Sequence, residues 1–177
     1  VPPSPNMPTL DTAIVYPGMC LVEGTQLSEG RGTTRPFESF GAPFIDPHKL
    51  SNRIQNDIAQ LPGVIFRPQF FKPMFQKHKN EVCGGLQIYV TDRNQFKPLL
   101  TTIALLRAVA ELYPKKFKWR TEKYEFVSDR LAVDLLYGNT ELRKTILNDS
   151  FSLANIEESW QAELDSFKKL RNNYLIY

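Results

Sequence analysis

Residues 85–92 read GLQIYVTD. Leu86, Ile88 and Val90 point to one face and Gln87 and Tyr89 to the other, the two-residue period of a half-buried strand. Gly84 and Gly85 lead into it, and a glycine pair entering a strand lets another backbone or a ligand approach closely. Working upstream, VIFRPQFF at 64–71 reads as a second strand. FESFGAPFID at 37–46 alternates weakly and carries Gly41 and Pro43, which marks an irregular or edge strand. The segment between the two clear strands, KPMFQKHKNEVCG at 72–84, is polar and predicts an exposed connection.

Helical periods surround these strands. From Phe96 to Tyr113, Leu99, Ile103, Leu106 and Ala110 recur at helical spacing, and Pro114 closes the run. Asp46 followed by Pro47 starts a helix over 47–60, with Leu50, Ile54 and Ile58 on one face and Leu61-Pro62-Gly63 as its stop. Thr9 is an N-cap for a short helix through Val15, ended by Pro17-Gly18. MCLVEG, residues 19–24, then reads as one more helical turn or a short strand.

Downstream, SDRLAVDLLYG predicts a short helix capped by Ser128 or Asp129 and stopped by Gly138, and TELRKTILND another. A last long helix starts near Asn155, with Glu158 placed for a capping box. Its stripe of Ile156, Trp160, Leu164, Phe167 and Tyr174 reads as core, and YLIY as a packed tail.

VPPSPNMPT carries four prolines in nine residues, the signature of an extended arm. The expected organisation is a Pro-rich arm and short linking helix over 1–22, then a domain over 23–177. Its class is α+β: a small, mostly antiparallel sheet packed with several helices.

The 177 residues, 42% hydrophobic and 12% aromatic, can bury a real core. No run approaches the length of a membrane span. A net charge of +3 is too small for a nucleic-acid footprint. The basic, aromatic run KKFKWRTEKYEF (116–126 with Lys115) reads as a cation-rich helix end with its connector pinned by aromatics. The chain begins at Val1 and shows no signal peptide, so it reads as a processed protein or a piece of a longer one. Cys20, Cys83, His48 and His78 match no zinc spacing, so no metal or cofactor is expected; the cysteines read as two buried thiols. Cys83 has no histidine base at a readable distance, which argues against a nucleophile.

The dense polar constellation is EGTQLSEGRGTTRPFE, residues 23–38. It gathers Glu23, Glu29, Glu38, Arg31 and Arg35 on a backbone with three glycines and three threonines. Charges on such a loop must find partners in one another or in a ligand. Gly30 and Gly32 flank Arg31, so the chain can turn on both sides of it. The loop lacks the G-K-[ST] ending of a phosphate loop.

PPSPNMPT, YPGMCLVEGTQLSEGRGTTRPFESFGAPFID, VCGGLQIYVTDR and the closing NNYLIY together resemble the NamZ-type exo-β-N-acetylmuramidase family. The resemblance covers essentially the whole chain. It is carried above all by the string E-G-T-[NQ]-x-S-E-G-R-G-T, with Gln26 where asparagine is usual. It implies a protein that releases N-acetylmuramic acid from the non-reducing ends of peptidoglycan fragments. It also implies an extracytoplasmic place of work and a cleft between a Rossmann-like N-terminal domain and a smaller α+β C-terminal domain. This chain corresponds to the C-terminal portion, with the N-terminal domain absent. The alternative is a non-catalytic muropeptide-binding or scaffold module.

Within that resemblance the residues take roles. Glycoside hydrolysis uses two carboxyl groups flanking the bond, and Glu29 and Glu23 are the catalytic candidates. Glu29 alternatively orients Arg31, and Glu23 alternatively braces the loop. The lactyl carboxylate of muramic acid suits an arginine fork, Arg31 first and Arg35 second. Thr25, Gln26, Ser28, Thr33 and Glu38 complete the substrate-binding set, as partners for sugar hydroxyls and the acetamido group.

Overall fold

The structure is a computed structural model that describes residues 2–176; Val1 and Tyr177 lie outside the described residues. Among these are seven α-helices and one three-stranded sheet, the expected α+β class. The strands are β1 (Ser39–Ala42), β2 (Val64–Phe71) and β3 (Cys83–Val90). All pairing is antiparallel, in the order β1-β3-β2. GLQIYVTD thus forms the centre of the sheet. Leu86 faces Phe40 on one side and Pro68 on the other, and Gln87 faces Ser39 and Arg67.

The apolar face of the sheet carries Phe40, Val64, Phe66, Leu86 and Ile88 into the core. Two helices pack on it, α1 (Leu10–Met19) and α2 (Pro47–Ile54), and α3 (Pro98–Leu112) packs across both of them. α3 buries the largest number of residues of any element, ten, among them Ile103 and Leu106. α2 begins where the sequence places it, Asp46 accepting from the amides of His48 and Lys49. It tightens into a 3-10 segment at Gln55–Gln60.

Several expectations are corrected. α1 does not stop at Pro17-Gly18 but runs to Met19 with Pro17 inside it. The reason is tertiary: a Cβ on Gly18 would fall 2.0 Å from the Pro98 carbonyl oxygen, so this turn is pressed against the start of α3. Residues 2–8 are not a plain extended arm, because Met7 N donates to Ser4 O in a turn. α4 (Ala132–Tyr137) has no side-chain cap, although Gly138 ends it at φ 95° as expected. It is followed by α5 (Glu141–Thr145).

The last helix is two, α6 (Leu153–Ser159) and α7 (Gln161–Arg171), broken at Trp160. Ser152, not Asn155, caps α6. Ile156 and Trp160 pack on the core, whereas Phe167 is 58% and Tyr174 77% exposed. The stripe is therefore core only in its first half, and the tail at 174–176 is exposed. MCLVEG becomes a 3-10 turn at Cys20–Gly24, which delivers the chain into the polar loop.

Candidate functional site

The loop 23–38 is anchored at both ends by backbone. Ser28 and Gly41 exchange N–H···O bonds at 2.8 and 3.0 Å, so the loop lies along the outer side of β1. Its first residues run antiparallel to the basic connector: Gln26 N donates to Lys118 O and Arg120 N to Gly24 O. Gly30 and Gly32 both take positive φ, 75° and 83°, the sharp turns expected around Arg31.

Arg31 is the hub. Its Nη2 donates to Glu23 Oε1 at 2.9 Å, and its Nε lies 3.6 Å from Glu29 Oε1. The guanidinium sits 5.4 Å from the centre of the Phe37 ring, which Tyr16 meets edge-on at 4.8 Å. Phe37 is buried and has φ 63°, a left-handed conformation that a bulky residue adopts only under constraint. The loop thus stores strain at the residue whose ring lies under the guanidinium. Arg31 keeps about a quarter of its side chain exposed, 26%, and its Nε is buried with no hydrogen-bond partner among the described residues.

Two residues that the sequence does not mark as part of this site complete the cluster. Lys77 Nζ donates to Glu29 Oε2 at 3.0 Å, Leu27 O at 3.0 Å and Val22 O at 3.1 Å. Tyr124 OH donates to Glu23 Oε2 at 3.2 Å. Both oxygens of Glu23 and Oε2 of Glu29 are therefore hydrogen-bonded, while Glu29 Oε1 has only the 3.6 Å ion pair with Arg31. Glu23, Glu29, Arg31 and Lys77 sum to zero formal charge, so an anionic ligand would be recognised here by donor geometry, not by net attraction. Burial pushes the Lys77 ammonium below its ordinary pKa, against the pull of Glu29. Burial, and then the Glu23 charge, pushes the Tyr124 phenol well up, so it stays a proton donor.

The remaining candidates separate into two groups. Thr25 Oγ1 donates to Val22 O, and Thr33 Oγ1 to Gly30 O. Ser28 Oγ accepts from Gly30 N. These hydroxyls shape the loop's own turns, and Thr25 and Ser28 are buried. Glu38 points to the other side, where Oε1 accepts from Thr12 Oγ1 at 2.6 Å and Thr9 Oγ1 at 3.0 Å, and Oε2 from Arg35 Nη1 at 3.2 Å. It joins the loop to the start of α1. Gln26 is exposed, and Arg35 is 48% exposed.

The segment 72–84 is exposed over most of the connection between β2 and β3, as expected. It also folds back over the loop. Met74 N donates to Gly32 O, Lys77 enters as above, and the His78 ring bonds Gln26 O at 2.9 Å. One signal in the sequence could have found it. Eleven residues separate β2 from β3, long for a hairpin, and long loops are disproportionately functional. Tyr124 carried no such signal.

Cys20 and Cys83 are free thiols, the first half-buried and the second buried. Burial, with Glu81 nearby, pushes the Cys83 thiol up to about 11, so it is no nucleophile near neutrality. Among the described residues no cluster of three or more His, Cys, Asp or Glu could hold a metal. Nor is any helix long and apolar enough to cross a membrane. Two concavities lie elsewhere. One is an apolar groove of about 890 Å³ between the start of α3, α5 and α6–α7, and the other a smaller polar one beside the Asp134–Arg143 ion pair.

The family described as exo-β-N-acetylmuramidase NamZ, C-terminal, matches residues 14–177. The peptidoglycan β-N-acetylmuramidase NamZ of Bacillus subtilis (strain 168) is 44% identical over 175 residues. That alignment takes in 99% of this chain and 40% of that protein, so the chain spans less than half of its relative's length. The crystal structure of a DUF1343 family protein from Bacteroides fragilis NCTC 9343 superposes on all of this chain and 45% of its own, with TM-score 0.80 and 27% identity. A second DUF1343 protein from the same organism, 24% identical with TM-score 0.64 over 99% of this chain and 43% of its own, shares the fold. With nearly its whole length matched, the chain belongs to the family of NamZ exo-β-N-acetylmuramidase C-terminal domains.

Proposed function

We propose that this chain is the C-terminal part of a peptidoglycan exo-β-N-acetylmuramidase, and that loop 23–38 forms the substrate-recognition wall of its active-site cleft. A Rossmann-like N-terminal domain supplies the facing wall. The full protein works outside the cytoplasmic membrane, where peptidoglycan lies. The observation that carries this reading is two buried carboxylates, Glu23 and Glu29, held on one partly exposed guanidinium, Arg31.

In this reading the free donors of Arg31 take the lactyl carboxylate of a terminal N-acetylmuramic acid, a charge-assisted bond. Glu29 stands as the acid/base candidate, with Glu23 as the second carboxylate. Exposed Gln26 serves the acetamido group, while Arg35, paired with Glu38 on the loop's other side, stands apart from the Arg31 cluster. Thr25, Ser28 and Thr33 act through the loop shape they fix.

In the full protein, Arg31→Ala is expected to weaken binding of N-acetylmuramic acid ligands about tenfold or more, the worth of one hydrogen bond to a charged group. N-acetylglucosamine ligands should lose far less. Equal losses on both would refute the carboxylate fork. Glu29→Gln should lower kcat on a chromogenic muramic-acid glycoside about 10²-fold or more if Glu29 transfers the proton.

A second reading is favoured by the hydrogen bonds that hold both oxygens of Glu23 and Oε2 of Glu29 within the chain: a module that binds muropeptide ends without catalysing. Assaying the isolated chain beside the full protein on the same glycoside separates the two. Turnover by the isolated chain rejects the module.

A further inference from the structure

The β2–β3 connection is held in an unusual shape for a surface turn. Gln76, His78 and Asn80 all have positive φ, at 65°, 57° and 65°. Asparagine and histidine tolerate this region better than most residues, but three such positions within five residues are costly unless something over-determines them. The result is that Lys77, between two of them, is turned inward. Its side chain is only 21% exposed.

An ammonium has three protons. Those of Lys77 meet Val22 O, Leu27 O and Glu29 Oε2 at 3.0 to 3.1 Å, with Glu23 O at 3.4 Å. One cation therefore ties the end of the 3-10 turn, the middle of the loop and the candidate carboxylate to a single point. Further ties join the same two segments: Met74 N to Gly32 O and the His78 ring to Gln26 O. Gly32 also admits the hairpin closely, since a Cβ there would lie 2.7 Å from Phe75 N.

We propose that Lys77 is a positioning residue for the muramidase site, a cation that the strained hairpin drives into loop 23–32 to hold Glu29 and the loop backbone in substrate-ready geometry. The proposal rests on the reading above for what the loop binds, and on this geometry alone for what Lys77 does. Lys77 donates every proton it has within the chain, so it acts through Glu29 and the loop. Val22 O also accepts from Thr25, so removing the ammonium leaves Leu27 O and Glu29 Oε2 without their donor, the kind of contact whose loss lets a site drift out of place.

The test uses the full protein, with Lys77→Met and Lys77→Ala. In Lys77→Met, kcat on a chromogenic N-acetylmuramic acid glycoside should fall about ten- to a hundredfold, the scale of a small misplacement, with KM changed less. Amide hydrogen exchange should quicken across residues 22–32 and stay unchanged in α3. In Lys77→Ala, added n-propylamine should restore part of the lost turnover, saturably, because it replaces the missing stem and ammonium. A merely stabilising lysine would lower the melting temperature and show no amine rescue. Should Lys77→Met fail to fold, Lys77→Ala with and without amine carries the same comparison.

A folded Lys77→Met variant with kcat within twofold of the parent, or with unchanged exchange at 22–32, overturns the proposal. Failure of the parent protein itself to cleave the glycoside refutes the muramidase reading instead. The exchange measurement then still decides whether Lys77 orders the loop.

Discussion

Glu38 shows what a carboxylate does when it serves the fold. It is 4% exposed, and Thr9, Thr12 and Arg35 satisfy its two oxygens. Glu38→Ala would leave the buried Thr12 hydroxyl without its 2.6 Å acceptor. The expected loss is about 1–3 kcal/mol, read as a lower denaturant midpoint at unchanged slope. Glu23 and Glu29 look the same in sequence and differ in surroundings, since a common arginine draws them together. That arginine and both acids were legible because they lie within eight positions of one another on a glycine-hinged loop. Lys77 and Tyr124 were not, because they reach the cluster across 48 and 101 positions. Nothing local marks a lysine that a distant turn will bury. The hydroxyls of Thr25, Ser28 and Thr33 were legible as residues, but their inward direction is set by turns that only the folded backbone reveals.

At the scale of elements, periodicity placed the strands and α3 well, because all of them send apolar side chains into the same core. It failed where packing overrides a local rule. Proline followed by glycine ordinarily ends a helix, yet α1 continues through both. The bond that Pro17 cannot donate is offset by the close approach that Gly18 permits against α3. Gly18→Ala tests this. With backbone as the obstacle and no flexible side chain to yield, the cost should fall at the upper end of the roughly 1–3 kcal/mol of overpacked cores. Thermal unfolding would show it; an unchanged melting temperature would mean that the two helices are not pressed together at this turn. The division of α6 from α7 escaped notice for the opposite reason. Apolar residues keep helical spacing across Trp160, but only those before it reach the core.

For the molecule as a whole, the sheet has three strands and thus two outer margins. Along β1 the margin is occupied, since Ser28 pairs with Gly41. Along β2 it is bounded by no further strand of this sheet, and Pro68 sits midway. Proline has no N–H to offer an incoming strand, and Arg67 beside it brings a charge. The residue that makes β2 an imperfect strand therefore also makes it a poor template for other copies of itself. Pro68→Val should leave the monomer folded but raise turbidity and light scattering on prolonged incubation at high concentration. Solutions that stay as clear as the parent's would show that this margin needs no such gatekeeper.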